Sequence, residues 1–473
     1  MVSATIPIEQ SAHARAGSER RTPHAVVMMM LIIVAAVALT YVVPSGVYQR
    51  TPDGLVVPGS YRTVPKDYSG VLALSPARAK GTAYPARPVA IVSAIPAGMI
   101  RSAALIFMIL FIGGMFGVLQ QTGALEAGIE RLVALTRGNA KIVVPIIMLL
   151  LAAGSTFLGL ISEYLVVIPM ALVLSERLGY DALFGTALVT IAAKIGYLTS
   201  VTNPLALAIA QPMVGIPVFS GAAFRALTFI VFLPIGIWYL LRRCHPVRDA
   251  ASIVSHDAAA LSVRQTLVLL VLLGAIATMI LGVQRLSWGS PELAAMYIAV
   301  AIVIAIVGGT NSRDASQAFI RGMQGMMLAG LLVGLAAAVE VILRDGMILD
   351  SIVAYLTRSI AGRPPVVVAN LMMVMQMAID VFIPSTSGKA AVTMPILGPI
   401  GQLSGVSGQV SVQAFLFGNG LMNTLTPTSG MLLGYLATGG ISFGRWIRFI
   451  LPLAAVLFAL CVATLTIAVM IKF

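Results

Sequence analysis

The chain has 473 residues, 59% hydrophobic and only 10% charged, with a formal net charge of +13 and a mean hydropathy of +0.98. Apolar runs of about 18 residues or more recur too often for one soluble core to bury them, which marks a polytopic membrane protein with the lipid bilayer as its solvent. The excess positive charge is scattered over short loops between spans, where membrane topology puts arginine, so a nucleic-acid partner is not expected.

In chain order, residues 1–25 read as a cytoplasmic tail. "HARAGSERRTPH" leads into an apolar stretch from Val26 to Val43 with no small-residue cleavage pattern after it, which predicts an uncleaved first span. The polar segment 44–101, in part "RTPDGLVVPGSYRTVPKDYSG", carries strand and turn residues without a catalytic motif and reads as an extracytoplasmic loop. Hydropathy predicts spans near 26–43, 103–120, 222–241, 265–283, 293–308, 322–343 and 449–470, with a cytoplasmic loop and linker span over 243–291. Two stretches, 141–216 and 365–441, are too long for two crossings and too often broken by Gly, Pro, Ser, Thr and Asn for ordinary helices. Each predicts a helical hairpin that enters partway and returns, followed by one helix interrupted at mid-depth. The expected fold is therefore an all-α polytopic membrane protein with nine full crossings, two re-entrant hairpins and two discontinuous helices. With the N-terminus inside, inner segments hold fifteen basic residues and short outer segments five, as the positive-inside rule requires.

The two interrupted stretches repeat one another. "TGALEAGIERLVALTRG" and "RDGMILDSIVAYLTRSIAG" each begin at a glycine (Gly123, Gly346) and end in Leu-Thr-Arg, and each is followed by an apolar arm and a proline, Pro169 or Pro395. Ten residues on stand Gly179 and Gly405, and then the breaks "TSVTNP" and "NTLTPTSG". The halves, 26–242 and 292–473, would be inverted repeats joined through the linker span. That architecture belongs to secondary transporters, because groups freed at a helix break survive in a membrane only where protein or a watery cavity covers them.

Glu163 and Lys389 fall at equivalent places, six residues before Pro169 and Pro395, so the two hairpin tips carry opposite charges. A charge at the bilayer centre costs about 2.5–3.5 kcal/mol and is kept only with a partner or a purpose. Lys389 is thus expected to line a central polar site, or else to pair with Glu163 or Asp380 and close the repeats together. Lys194 would contact ligand, snorkel, or pair with Glu163. Ser162, Thr199, Thr202, Asn203, Ser385, Thr386, Ser387, Asn423, Thr426, Thr428 and Ser429 could hydrogen-bond a carboxylate or coordinate a cation such as Na+, or simply cap the broken helices. Gly113, Gly114, Gly330 and Gly334 read as close-packing positions.

Several chemistries are excluded. Cys244 and Cys461 supply neither a disulfide framework nor a thiolate metal site. His13, His24, His245 and His256 all lie in polar segments, which removes an intramembrane histidine relay or zinc site and leaves any proton coupling to carboxylates or lysine. "STSGKA" lacks the first glycine of a phosphate loop, since Ile383 stands there, and its lysine is followed by alanine. No cofactor is expected. An intramembrane enzyme would have only Ser385 or Ser387 with Lys389 as a dyad.

"FIGGMFGVLQQTGALEAGI", "IPSTSGKAAVTMPILGPI" and "NTLTPTSGMLLGYL" resemble the YfcC-type permeases, relatives of the DcuC-type anaerobic carriers in the ion transporter superfamily, from about Ile95 to Leu453. The resemblance implies a carrier of the inner membrane with a scaffold part and a moving transport part, commonly a homodimer. It carries "SEY", "STSGK", "TNP" and "TPTSG" over as binding positions. Relatives often have glutamine at the place of Lys389 and a neutral residue at that of Asp380. The expected function is secondary transport of a small carboxylate-bearing metabolite, a C4-dicarboxylate or amino acid, coupled to H+ or Na+. The alternatives are a basic amino acid exchanger, a short-chain fatty acid carrier and a passive channel.

Overall fold

The computed structural model describes residues 25–52, 56–57, 59–68, 82–136, 139–246, 261–286, 288–357, 360 and 362–473. The tail ahead of Ala25, His256, Lys80, Arg137, Arg248, Arg358 and the side chain of Ser387 lie outside them.

The first half contains α1 (Ala25–Val42), α2 (Ala90–Arg101), α3 (Ala103–Gln121), α4 (Ala124–Leu135), α5 (Ala140–Leu158), a 3-10 turn (Ser162–Val166) running into α6 (Val167–Arg177), α7 (Ala182–Thr199), α8 (Pro204–Met213) and α9 (Ala222–Arg243). A lone helix, α10 (Val263–Arg285), follows. The second half contains α11 (Ser290–Gly308), α12 (Ser312–Gly325), α13 (Met327–Asp345), α14 (Leu349–Thr357), α15 (Pro365–Asp380), α16 (Thr386–Leu403), α17 (Gly408–Leu425), α18 (Gly430–Thr438) and α19 (Phe443–Met470).

Among the described residues the helices therefore fall nine, one and nine, and the two sets of nine correspond in order. Backbone specials repeat with them. Gly179 and Gly405 take left-handed φ of 80° and 78° just past α6 and α16, and Gly215 and Gly440 do so at 72° and 66° two residues past α8 and α18. Only glycine adopts that region without strain, so the same residue ends the same helix in both halves. Each half crosses the membrane with α1, α2–α3, α7–α8 and α9 or their counterparts. Four crossings plus α10 put the second half in the opposite sense. The hairpins are α5–α6 and α15–α16, and the discontinuous helices are α7–α8 and α17–α18.

Two boundaries differ from expectation. Residues 90–101, assigned to the loop, form α2, because the apolar run "AIVSAIPAGMI" finds a partner in α13. The span predicted at 322–343 begins at Met327, since α12, "SRDASQAFIRGMQG", is amphipathic and capped by Asn311, which accepts from the Asp314 N–H at 2.9 Å.

The halves interlock by exchange, with α2 packing on α13 and α12 on α3. Both crossings are backbone to backbone. A methyl group at Gly98 would lie 2.5 Å from the Ala338 nitrogen and the Gly334 carbonyl, and one at Gly322 would lie 2.1 Å from the Gly113 carbonyl. Gly114 and Gly334 likewise face Phe319 and Met99 at under 3 Å, as expected of packing glycines.

The segment after α1 folds back as a strap. A short antiparallel ladder pairs Gly46–Val47 with Arg62–Thr63. Ser45 donates to the Gly346 carbonyl at 2.7 Å, the Tyr48 N–H and the Arg50 guanidinium reach Asp350 at 3.0 and 2.9 Å, and Tyr61 bonds Ser351 at 3.0 Å. Tyr48 and Val56 are buried with Ile379 and Ile383 of the second hairpin. The strap thus belongs structurally to the second half, although it is encoded in the first.

Gly98→Leu and Gly322→Leu should each destabilise the fold by about 1–3 kcal/mol through overpacking, lowering the unfolding temperature in detergent. Gly274→Ala, where an added methyl meets nothing within 4 Å, should leave it unchanged or raised.

Candidate functional site

The second hairpin turns at Val381–Ser385, a short stretch that leaves Asp380 at the end of α15 close to Lys389 in the first turns of α16. The Lys389 ammonium bonds Asp380 Oδ1 at 2.6 Å and the Gln376 carbonyl at 3.4 Å, and it stands 5.5 Å from the Phe415 ring centre. Both charged side chains are 0% exposed. Two desolvated charges persist there because each satisfies the other. Of the two pairings considered for Lys389, the structure contains the one within its own hairpin.

Asp380 also accepts from Asn423 on α17 at 2.9 Å, and Ser429, at the start of α18, donates to Asn423 Oδ1 at 2.8 Å. The hairpin is thereby tied to the break in its own repeat. The first repeat makes the same contact with neutral groups, for Thr156 of α5 bonds Thr199 of α7 at 2.9 Å and accepts from the Val201 N–H at 3.0 Å. Each hairpin tip also touches the other repeat's broken helix. Tyr197 of α7 bonds Thr386 at 2.6 Å, and Tyr435 of α18 donates to the Ile161 carbonyl, while Asn419 of α17, in Thr386's own repeat, donates to Thr386 at 3.1 Å.

A cavity of about 460 Å³ opens beside the second tip and the second break. Pro384 and Ser385 of the second tip, Asn423, and Thr428 to Met431 at the second break line it, with Arg101 and Glu340 in its wall. Arg101 and Arg344 both reach Glu340 Oε1, at 2.8 and 2.9 Å. Two helices begin at this cavity, α16 just past Ser385 and α18 just past Ser429. Ser385 accepts from the Gly388 N–H and Ser429 from the Leu432 N–H, both at 3.3 Å, so these two residues cap their helices as well as line the cavity.

The candidates thus divide. Ser385, Asn423, Thr428 and Ser429 line the cavity, while Asp380 and Thr426 stand one hydrogen bond behind it, through Asn423 at 2.9 Å and Thr428 at 2.7 Å, and Lys389 and Thr386 two, through Asp380 and Asn419. The first-repeat candidates gather elsewhere. Thr202 donates to the Phe157 carbonyl at 3.2 Å, and Asn203 donates to Ser200 at 3.1 Å, where Ser200 holds a left-handed φ of 41° that ends α7. Glu163, 7% exposed, accepts the Ile161 N–H at 2.9 Å and is hydrogen-bonded with Ser162, and has no basic partner among the described residues. Lys194 lines a narrow apolar crevice among α7, α17 and α19, away from the cavity, with no ion pair among the described residues.

Sequence reasoning passed over Arg101 and Glu340, Tyr197 and Asn419, and Gln376, which bonds Thr393 at 2.9 Å. Asn419 and Gln376 were detectable in principle, each one helical turn before a residue already chosen, Asn423 and Asp380. Arg101 was hidden by its assignment to a loop.

In comparisons with known proteins, residues 22–470 match the family model described as DcuC, C4-dicarboxylate anaerobic carrier. The Escherichia coli K12 protein named "Putative basic amino acid antiporter YfcC" is 30% identical over 384 residues, 76% of each chain. A Haemophilus influenzae protein, "Uncharacterized protein", is 28% identical over 417 residues, 84% of this chain and 78% of its own. Among solved structures, the Alcanivorax borkumensis YdaH transporter aligns with a TM-score of 0.43 at 18% identity, over 95% of this chain and 99% of that one. Neisseria gonorrhoeae MtrF aligns with a TM-score of 0.44 at 18% identity, over 95% of each.

Asp380→Asn and Lys389→Met should each destabilise the protein by about 3–5 kcal/mol, because each strands a buried charge. The double variant should cost clearly less than their sum in detergent denaturation, and an additive result would mean that the two residues are not coupled.

Proposed function

The chain belongs to the DcuC family of C4-dicarboxylate anaerobic carriers, which makes it a multi-pass membrane transporter and not an enzyme, and from that premise we propose that it is a secondary active transporter of a small carboxylate-bearing metabolite. It works across the inner membrane by alternating access, with its N-terminus in the cytoplasm and the strap outside. The observation that carries this reading is the convergence of two helix N-termini, those of α16 and α18, on one cavity walled by Arg101. Helix N-termini present unpaired N–H groups and partial positive charge, which favour carboxylates. Arg101 and Arg344 around the single carboxylate of Glu340 leave a net positive rim. Two N-termini suit the two carboxylates of a C4-dicarboxylate.

Glu163 carries the coupling proton in this reading. Of the two hairpin acids, Asp380 cannot take a proton without breaking its pair with Lys389, whereas Glu163 has no such pair to lose. The same unpaired carboxylate favours a second reading, exchange of a basic amino acid, in which Glu163 holds the substrate's cationic group. The name of the Escherichia coli relative points the same way.

In proteoliposomes, counterflow of labelled succinate or aspartate should exceed that of arginine and butyrate. Arg101→Gln should raise KM about tenfold with little change in Vmax, since it removes attraction present throughout the cycle. Exchange of arginine alone would replace this reading with the second. Glu163→Gln should keep counterflow but lose uptake driven by a pH gradient. Abolished counterflow of arginine in that variant would instead make Glu163 a substrate ligand.

A further inference from the structure

Arg225 is the fourth residue of α9 and is 0% exposed. A guanidinium buried in a membrane span calls for a carboxylate, yet it has no ion pair among the described residues. Its Nε donates to the Val201 carbonyl at 3.3 Å and its Nη2 to the Ser220 carbonyl at 2.5 Å, while Nη1 has no acceptor among the described residues. Charge pairing therefore does not account for it, and what it does hold is the backbone of the first break at Val201 and of the α8–α9 connection at Ser220.

The second repeat holds its own break with a different residue. Trp446 is the fourth residue of α19, the counterpart of α9, and it too is 0% exposed. Its indole Nε1 donates to the Thr424 carbonyl at 3.0 Å. Val201 lies two residues past the end of α7, and Thr424 is the last residue but one of α17. Each repeat thus sends one long, fully buried donor from the fourth position of its last helix to a carbonyl within two residues of the end of the first half of its broken helix. Arg225 and Trp446 share no chemistry except a rigid planar N–H donor on a long side chain, and that is what the two positions have in common. Such a carbonyl is freed by the break itself, since its helical donor would be the N–H four residues on, at Leu205 or Thr428, and α7 and α17 end before that position.

We propose that Arg225 and Trp446 are matched positioning residues, each tying the freed carbonyl of one broken helix to the last helix of its repeat and so holding that break closed against hairpin motion. Neither touches substrate. The ties are independent, because each joins elements of a single repeat.

The test uses single cysteines in a background with Cys244→Ser and Cys461→Ala, labelled in proteoliposomes with a membrane-impermeant maleimide from each side. Thr202→Cys reports the first break and Met431→Cys the second. Arg225→Ala should raise the labelling rate of Thr202→Cys about tenfold, the weight of a lost charge-assisted hydrogen bond, and leave Met431→Cys unchanged. Trp446→Phe, which keeps the ring and loses only the N–H, should do the reverse. Arg225→Trp, the other repeat's donor, should return Thr202→Cys toward the wild-type rate, a rescue that a purely volumetric role does not give. Labelling that rises at both sites together, or at neither, overturns the proposal. Should Arg225→Ala fail to fold, Trp446→Phe alone decides it, since unchanged labelling at Met431→Cys is then fatal. The readout requires no transported substrate, so it stands apart from the choice between carboxylate and basic amino acid.

Discussion

A helix that stops inside a membrane leaves N–H and C=O groups that hydrocarbon cannot satisfy, and most of the arrangement in this protein answers that demand. At the first break, Thr156, Ser200 and Arg225 take up the loose backbone and side-chain ends. At the second, Asn423, Ser429 and Trp446 do. The groups left pointing at a cavity are the N-terminal ends of α16 and α18, which is where the proposed carboxylate substrate would complete the set. Structural repair and substrate recognition are therefore parts of one problem of unsatisfied polar groups.

Inverted repetition lets one chain meet that demand twice with different chemistry. Thr156 and Thr199 do with hydroxyls what Asp380 and Asn423 do with a carboxylate and an amide. Glu163 and Lys389 carry opposite charges at equivalent tips, one without an ion-pair partner among the described residues and one fully paired. Arg225 and Trp446 each hold a carbonyl at the break of their own repeat, one with charge and one without. A symmetric scaffold provides two related conformations, and asymmetric side chains make them differ in energy and in what they bind.

The exchange of α2 and α12 between the halves bears on motion. Glycine crossings with no room for a methyl group are rigid, so α2, α3, α12 and α13 form a common frame. The hairpins pack on the broken helices of their own repeat through equally close glycine contacts, Gly196 on the Ala152 carbonyl and Gly418 on the Met373 carbonyl, with hydrogen bonds between side chains and backbone added at the tips and breaks. The strap links the frame to α14 and the second hairpin through Asp350, Ser351 and Ile383, and any movement of that hairpin must carry the strap along.

What the sequence determined by itself is local in origin. Span lengths follow from the apolar thickness of the bilayer, and the hairpins and breaks follow from proline and glycine spaced alike in both halves. These properties are decided by consecutive residues, so the α5–α8 and α15–α18 stretches were legible before any coordinates. What only the tertiary structure decided is which distant groups meet. Lys389 could face Glu163 or Asp380 on sequence spacing, and the short turn of the hairpin selects Asp380. Arg101 and Glu340, 239 positions apart, share a cavity wall only because α2 packs on α13. No periodicity relates Arg225 to Trp446, because what they share is a bond to the backbone at a break and not a residue type.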